Sequence, residues 1–182
     1  AKAAQLGLTP KVAMLNLAPG ISSGEQRRDG FLEGMGLTAE APQLAASADT
    51  QGDRQLGEKA MATILAQHAD GNVVYTVNEQ AALGALEALK AADADLSRIV
   101  LVSIDGGCQA MRDAVRPGEI DATAMQFPEN MARESVRAIA TAERGGAAPS
   151  GYVNTGTELV SDAPAPGVPS KDTAFGIRTC WG

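Results

Sequence analysis

The chain has 182 residues, of which 45% are hydrophobic and 20% charged, a balance that lets one large domain bury a sizeable core. Its formal net charge of -7 opposes a phosphate backbone, so nucleic acid is not an expected partner. No apolar run approaches the roughly 20 residues that span a bilayer. Aromatic residues are only 3%, so the core has to come from Ala, Leu, Val and Ile.

Taken in order, Ala1–Gly7 carries no apolar signal stretch and no Met precedes it, which a mature, a processed and a partial chain all satisfy. Lys11–Leu17 is a short apolar run bounded by Pro10 and Pro19, and reads as a buried strand. A helix follows over Ser23–Met35, with Phe31 and Leu32 on its inner face, and Glu40–Ser47 is a weaker strand. Asp53–His68 places Leu56, Ala60, Ile64 and Leu65 at helical spacing. Asn72–Val77 is β-branched and reads as a strand; Asn78 then stands where an N-cap belongs, before an Ala- and Leu-rich helix to Ala92. Arg98–Ile104 is the clearest strand. Asp105-Gly106-Gly107 turns the chain into a short helix ending near Pro117-Gly118. Ile120–Gln126 is a strand, Pro128–Glu143 a helix stopped by Gly145-Gly146, and Tyr152–Val160 a further strand. The Pro-rich tail after Asp162 reads as irregular.

Strand and helix alternate, and the strands lack polar alternation, which predicts an α/β fold with a parallel sheet covered by helices on both faces. Such sheets bind ligands at the carboxyl ends of their strands. That rule selects Ala18–Arg27, Asp49–Asp53, Asn78-Glu79, Asp105–Gly107 and Gln126-Phe127. Arg27, Asn78, Asp105 and Gln126 there supply a planar donor fork, a carboxylate and two carboxamides, a mixture that suits the hydroxyls of a neutral sugar. Each has a plainer role: a solvated helix charge for Arg27, a helix cap for Asn78, an Asx turn for Asp105 and a strand end for Gln126.

No phosphate-binding glycine fingerprint, P-loop or nucleophile elbow is present, so no catalytic residue and no cofactor is assigned. His68 closes an amphipathic helix, the Asp49/Asp53 pair reads as loop and cap, and the Met residues at 14, 35, 61, 111, 125 and 131 read as core filler. Cys108 and Cys180 have no metal-ligand spacing, and on the residues alone two thiols and one disulfide stand equally open.

Six stretches, in one order, carry a family resemblance: Glu25–Phe31, Asp49–Asp53, Val73–Glu79, Val102–Cys108, Ala124–Pro128 and Cys180–Gly182. From Lys11 to Gly182 the chain resembles the periplasmic sugar-binding proteins of ABC importers, of the type I, ribose-binding kind, and most closely their fructose-binding branch. The resemblance implies a periplasmic, non-enzymatic receptor whose two lobes close on a monosaccharide of fructose or ribose type and present it to an ABC transporter permease. It places the sugar-contacting arginine on Arg27, asparagine on Asn78, aspartate on Asp105 and glutamine on Gln126. It makes Gln51 a ligand-loop candidate, although this chain has Thr50, Gln51 and Gly52 where the family often sets a stacking ring. It also implies a Cys108–Cys180 disulfide. The domain organisation it implies is a truncated helix or linker over 1–10 and a C-terminal sugar-binding lobe over 11–126. A helix and strand over 127–162 belong to an absent N-terminal lobe, supplied by missing chain or a second chain, and a tail over 163–182 returns over the hinge.

The same fold also serves as the effector-binding domain of lac-repressor-type transcription regulators. That alternative calls for a cytosolic protein with a DNA-binding headpiece; no stretch of this sequence resembles a headpiece, and a bridged cysteine pair argues against the cytosol.

Overall fold

A computed structural model describes residues 1–182. Its six-stranded sheet has the order β2-β1-β3-β4-β5-β6, formed by β1 (Val12–Asn16), β2 (Leu44–Asp49), β3 (Val73–Thr76), β4 (Val100–Asp105), β5 (Ala122–Gln126) and β6 (Thr157–Val160). The first five strands are parallel and β6 runs antiparallel to β5. The helices are α1 (Lys2–Gln5), α2 (Ser22–Met35), α3 (Arg54–Gln67), α4 (Glu79–Ala91), α5 (Cys108–Ala110, widening into a π turn over Met111–Val115), α6 (Pro128–Glu143) and α7 (Thr173–Thr179). None is long and apolar enough to cross a membrane.

The three layers follow from burial on both sheet faces. Every residue of β3 is buried, as expected for a β-branched central strand. On one face Leu15, Leu101 and Met125 pack with Met61, Leu89 and Met111 from α3, α4 and the π turn. On the other, Val12, Met14 and Tyr75 meet Leu32 of α2 and Ala3 of α1, and the Phe31 and Tyr75 rings stand 4.7 Å apart. The three-layer α/β expectation is therefore met.

Several boundaries differ from the sequence reading. In α3 the buried stripe is Gly57, Met61 and Ile64 rather than Leu56 and Ala60, because α4 lies so close that only glycine fits beneath it. A Cβ on Gly57 would stand 2.8 Å from the Ala81 carbonyl oxygen, and one on Gly84 1.9 Å from that of Arg54. Of the six methionines, Met131 is not core filler but 39% exposed on α6. The tail is not wholly irregular. The Asp172 carboxylate accepts from the Phe175 N–H and starts α7, whose Phe175 and Ile177 pack against the first core.

The strand expected over 152–160 in a separate sheet is corrected too. Only Thr157–Val160 is extended, and it pairs with Thr123–Gln126 in this sheet, since the return of the chain after α6 leaves the open edge of β5 within reach. Helix α6 itself buries none of its residues.

Candidate functional site

The carboxyl ends of the parallel strands share one edge, and α2 lays Arg27 across it. The Arg27 guanidinium donates through Nη1 to the Val77 carbonyl at 2.9 Å. Its Nη2 lies 3.1 Å from Asp105 Oδ1 and donates to Gln126 Oε1 at 3.5 Å. Gln126 Nε2 closes the triangle by donating to the same Asp105 Oδ1 at 2.9 Å. Three residues 99 positions apart at their extremes thus meet as an ion pair with a bridging carboxamide. Arg27 and Asp105 are about a quarter and a seventh exposed, 24% and 14% by side chain, so the pair is largely withdrawn from bulk water.

Asn78 adjoins this triangle through Val77, but its polar atoms are used locally. Oδ1 caps α4 by accepting from the Ala81 N–H at 3.0 Å, and Nδ2 donates to the Gly52 carbonyl at 2.8 Å. It thereby ties the α4 start to the loop after β2. In that loop the buried Thr50 hydroxyl donates to the Asn16 carbonyl, and Asp53 caps α3 by accepting from the Leu56 N–H. Gln51 is exposed with φ 51°, and its backbone N–H donates to Asp49. The structure therefore brings Arg27, Asp105 and Gln126 together, sets Asn78 beside them as a cap, and leaves Gln51 at the rim.

Burial pushes the Asp105 carboxyl above the usual aspartate range, while Arg27 and the Glu79 backbone amide pull it back. Asp105 has φ 110°, a conformation that costs a non-glycine residue about 1–3 kcal/mol and persists only where its surroundings hold it. The surroundings are two residues to which the sequence reading gave no role. Glu79, the first residue of α4, is buried and accepts from the Gly107 N–H through Oε2 at 2.6 Å. Burial raises its carboxyl; the Gly107 and Ala110 amides oppose that, and Asp105 adds to it. Trp181 donates through Nε1 to the Asp105 carbonyl at 3.0 Å, and its own carbonyl accepts from the Cys108 N–H at 2.9 Å. Beside it Cys108 and Cys180 are joined in a disulfide across 72 positions. An acidic residue at a helix start ordinarily signals only the dipole; the available hint was Gly106-Gly107, where a Cβ on Gly107 would sit 2.5 Å from Glu79 Oε2.

In open parallel α/β sheets the carboxyl edge, where polar side chains converge here, is the general place for a ligand. Residues 2–147 match the family model described as a periplasmic binding protein domain, and the chain belongs to that family. It is 32% identical over 127 residues to the ribose import binding protein RbsB of Haemophilus influenzae, covering 70% of this chain and 41% of that protein. Among solved structures it is similar to a galactofuranose binding protein (25% identity, TM-score 0.76, 87% of this chain and 54% of that one). It also shares the fold of an ABC transporter solute binding protein from Agrobacterium vitis bound with α-D-tagatopyranose (21% identity, TM-score 0.79, 99% and 57%). The chain spans less than half the length of the RbsB relative it matches. The resemblance to ribose-binding-type proteins holds, and the disulfide that it implies is present.

Proposed function

We propose that the chain is the C-terminal part of a periplasmic solute-binding receptor that captures a monosaccharide of fructose or ribose type between two lobes and delivers it to an ABC transporter permease. The observation that carries this reading is the Arg27–Asp105–Gln126 triangle at the carboxyl edge of the sheet. Arg27 is the donor fork for sugar oxygens, Asp105 the acceptor of sugar hydroxyls and Gln126 the bridging amide that does either. Asn78 extends the row, with one amide hydrogen beyond its two local bonds, and Gln51 stands at the mouth. The site reads the ligand by hydrogen bonds alone and calls for neither cofactor nor bond chemistry. The names of the relatives, ribose and galactofuranose binders, support the ligand class, and a cross-linked cysteine pair fits an oxidising compartment.

Within this reading, residues 11–126 are the body of the C-terminal lobe and β6 completes its sheet. Helix α6, which buries nothing here, docks on the first lobe.

The test is calorimetry of the intact receptor against pentoses and hexoses, with Arg27→Ala and Asp105→Ala alongside. Removing one member of a buried hydrogen-bonded set costs about 1–3 kcal/mol, more for a charge. Each variant is expected to weaken binding at least roughly tenfold. Wild-type affinity in both variants rejects the site.

A further inference from the structure

The turn Asp105-Gly106-Gly107 is held from two sides by groups outside the triangle. From below, Glu79 Oε2 accepts the Gly107 N–H in a buried contact of 2.6 Å. From above, the C-terminal segment crosses it: the Trp181 indole N–H donates to the Asp105 carbonyl, and the Cys108 N–H donates to the Trp181 carbonyl. Gly107 and Trp181 form a parallel bridge, and the Cys108–Cys180 bond fixes that segment to the residue following the turn. Gly106 takes φ 77° against Met125, where a Cβ would stand 2.5 Å from the Met125 side chain. Asp105 occupies its unfavourable φ inside this frame.

We propose that Glu79 and the Cys180-Trp181 strap are positioning elements that hold the Asp105 carboxylate in its binding orientation and so set the affinity of the site for its sugar. This rests on the sugar-site reading above. Neither element needs to touch the ligand. Without the indole donor or the Glu79 acceptor, Asp105 relaxes toward an ordinary φ and its carboxylate turns away from Arg27 and Gln126.

Sugar affinity is measured by calorimetry in the intact receptor for wild type and Trp181→Phe, each with Asp105 and in an Asp105→Ala background. Trp181→Phe keeps an aromatic ring, though a smaller one, and removes the donor; it is expected to weaken binding roughly five- to tenfold, the effect of one hydrogen bond. In the Asp105→Ala background it is expected to cost nothing more, because a positioning residue acts only through the group it positions. Glu79→Gln, which keeps an acceptor for Gly107, is expected to stay within about twofold of wild type while Glu79→Leu falls like Trp181→Phe. Should Glu79→Leu fail to fold, reduction supplies the second measurement. Dithiothreitol delivers two electrons and two protons, opening the bridge to two thiols while it closes to its cyclic disulfide, and affinity should fall and return on reoxidation. Unchanged affinity in both Trp181→Phe and the reduced protein overturns the proposal, as do losses that add fully to Asp105→Ala. Arg27→Ala separates the two layers. If it binds like wild type, the site reading fails and this inference falls with it. If it loses binding while Trp181→Phe does not, only the positioning role is refuted.

Discussion

At the scale of single residues, two carboxyls carry the pH behaviour of the candidate site. Burial raises both Asp105 and Glu79, so each takes up a proton at higher pH than a free carboxyl. As pH falls from neutral, Asp105 loses the charge that pairs with Arg27 and turns from acceptor to partial donor. Sugar affinity is therefore expected to weaken on the acid side, beginning above the ordinary aspartate range, and calorimetry between pH 7 and pH 4 reads it. For stability the sign is opposite to that of a salt-bridged carboxylate. The folded state holds these protons more tightly than the unfolded chain does. Their penalty is absent below the ordinary carboxyl value, grows as pH rises through the raised one and is complete above it. Glu79→Gln removes one such slope, so its stability relative to wild type should rise between those limits in urea unfolding; a difference constant in pH contradicts it. Arg27, Asp105 and Gln126 were legible in the sequence because strand ends in a parallel sheet are a geometric category. Glu79 fell in the same category, but its role was not legible, because an acidic residue at a helix start looks the same whether it faces solvent or the core.

At the scale of elements, the tightest constraint is the α3–α4 pair. Gly84 lies against the α3 backbone, with Arg54 O and Glu58 N at 1.9 and 2.7 Å from where its Cβ would stand, and neither backbone atom can rotate away. Gly84→Ala is expected to destabilise the fold by about 1–3 kcal/mol through overpacking, read as a lower urea midpoint at unchanged slope; an unaltered midpoint would show that the helices separate freely. This contact also explains where the sequence reading of α3 failed. Period and composition see Leu56 and Ala60 as the apolar stripe, whereas the contact that orients the helix is made by a residue with no side chain. Helix α7 was hidden for a related reason: seven residues inside a Pro-rich tail carry too short a period to read, and the Asp172 cap and packing of Phe175 establish it. The paired cysteines needed the family resemblance, since spacing alone is silent. Their bridge closes a 72-residue separation and is worth about 4 kcal/mol in the chain-entropy picture. The intact chain should weigh two hydrogens less than the dithiol, and alkylation without reductant should label neither Cys108 nor Cys180; labelling of both refutes the bridge.

At the scale of the whole molecule, apolar surface stands open where a soluble lobe would normally cover it. Helix α6 and the segment after it expose Val136, Ile139 and Tyr152 at 65%, 58% and 86%. Beside α2, an open groove of about 610 Å³ is lined by Phe31, Met35, Val102, Ile104, Ala124 and Leu159. The sheet also ends in β2 and β6; the outer edge of β6 is partly taken by Lys171, which leaves β2 as the open edge. Contiguous apolar surface of this kind drives association, and an uncovered strand edge pairs with another chain. In the two-lobed reading, α6 meets the first lobe, which also brings the remaining hydrogen-bond partners to the sugar. The 182 residues expressed alone are therefore expected to self-associate in light scattering and to bind monosaccharides far more weakly than the intact receptor. Replacing Val136 and Ile139 by Lys should shift the isolated lobe toward monomer without restoring affinity, because the change covers the patch but adds no partner for the ligand. In the intact receptor the same pair of substitutions should lower stability, since they charge a surface that is then buried. A wild-type 182-residue chain that stays monomeric and binds a monosaccharide at micromolar affinity would show that one lobe suffices, and the assignment of α6 to a second lobe would fail with it.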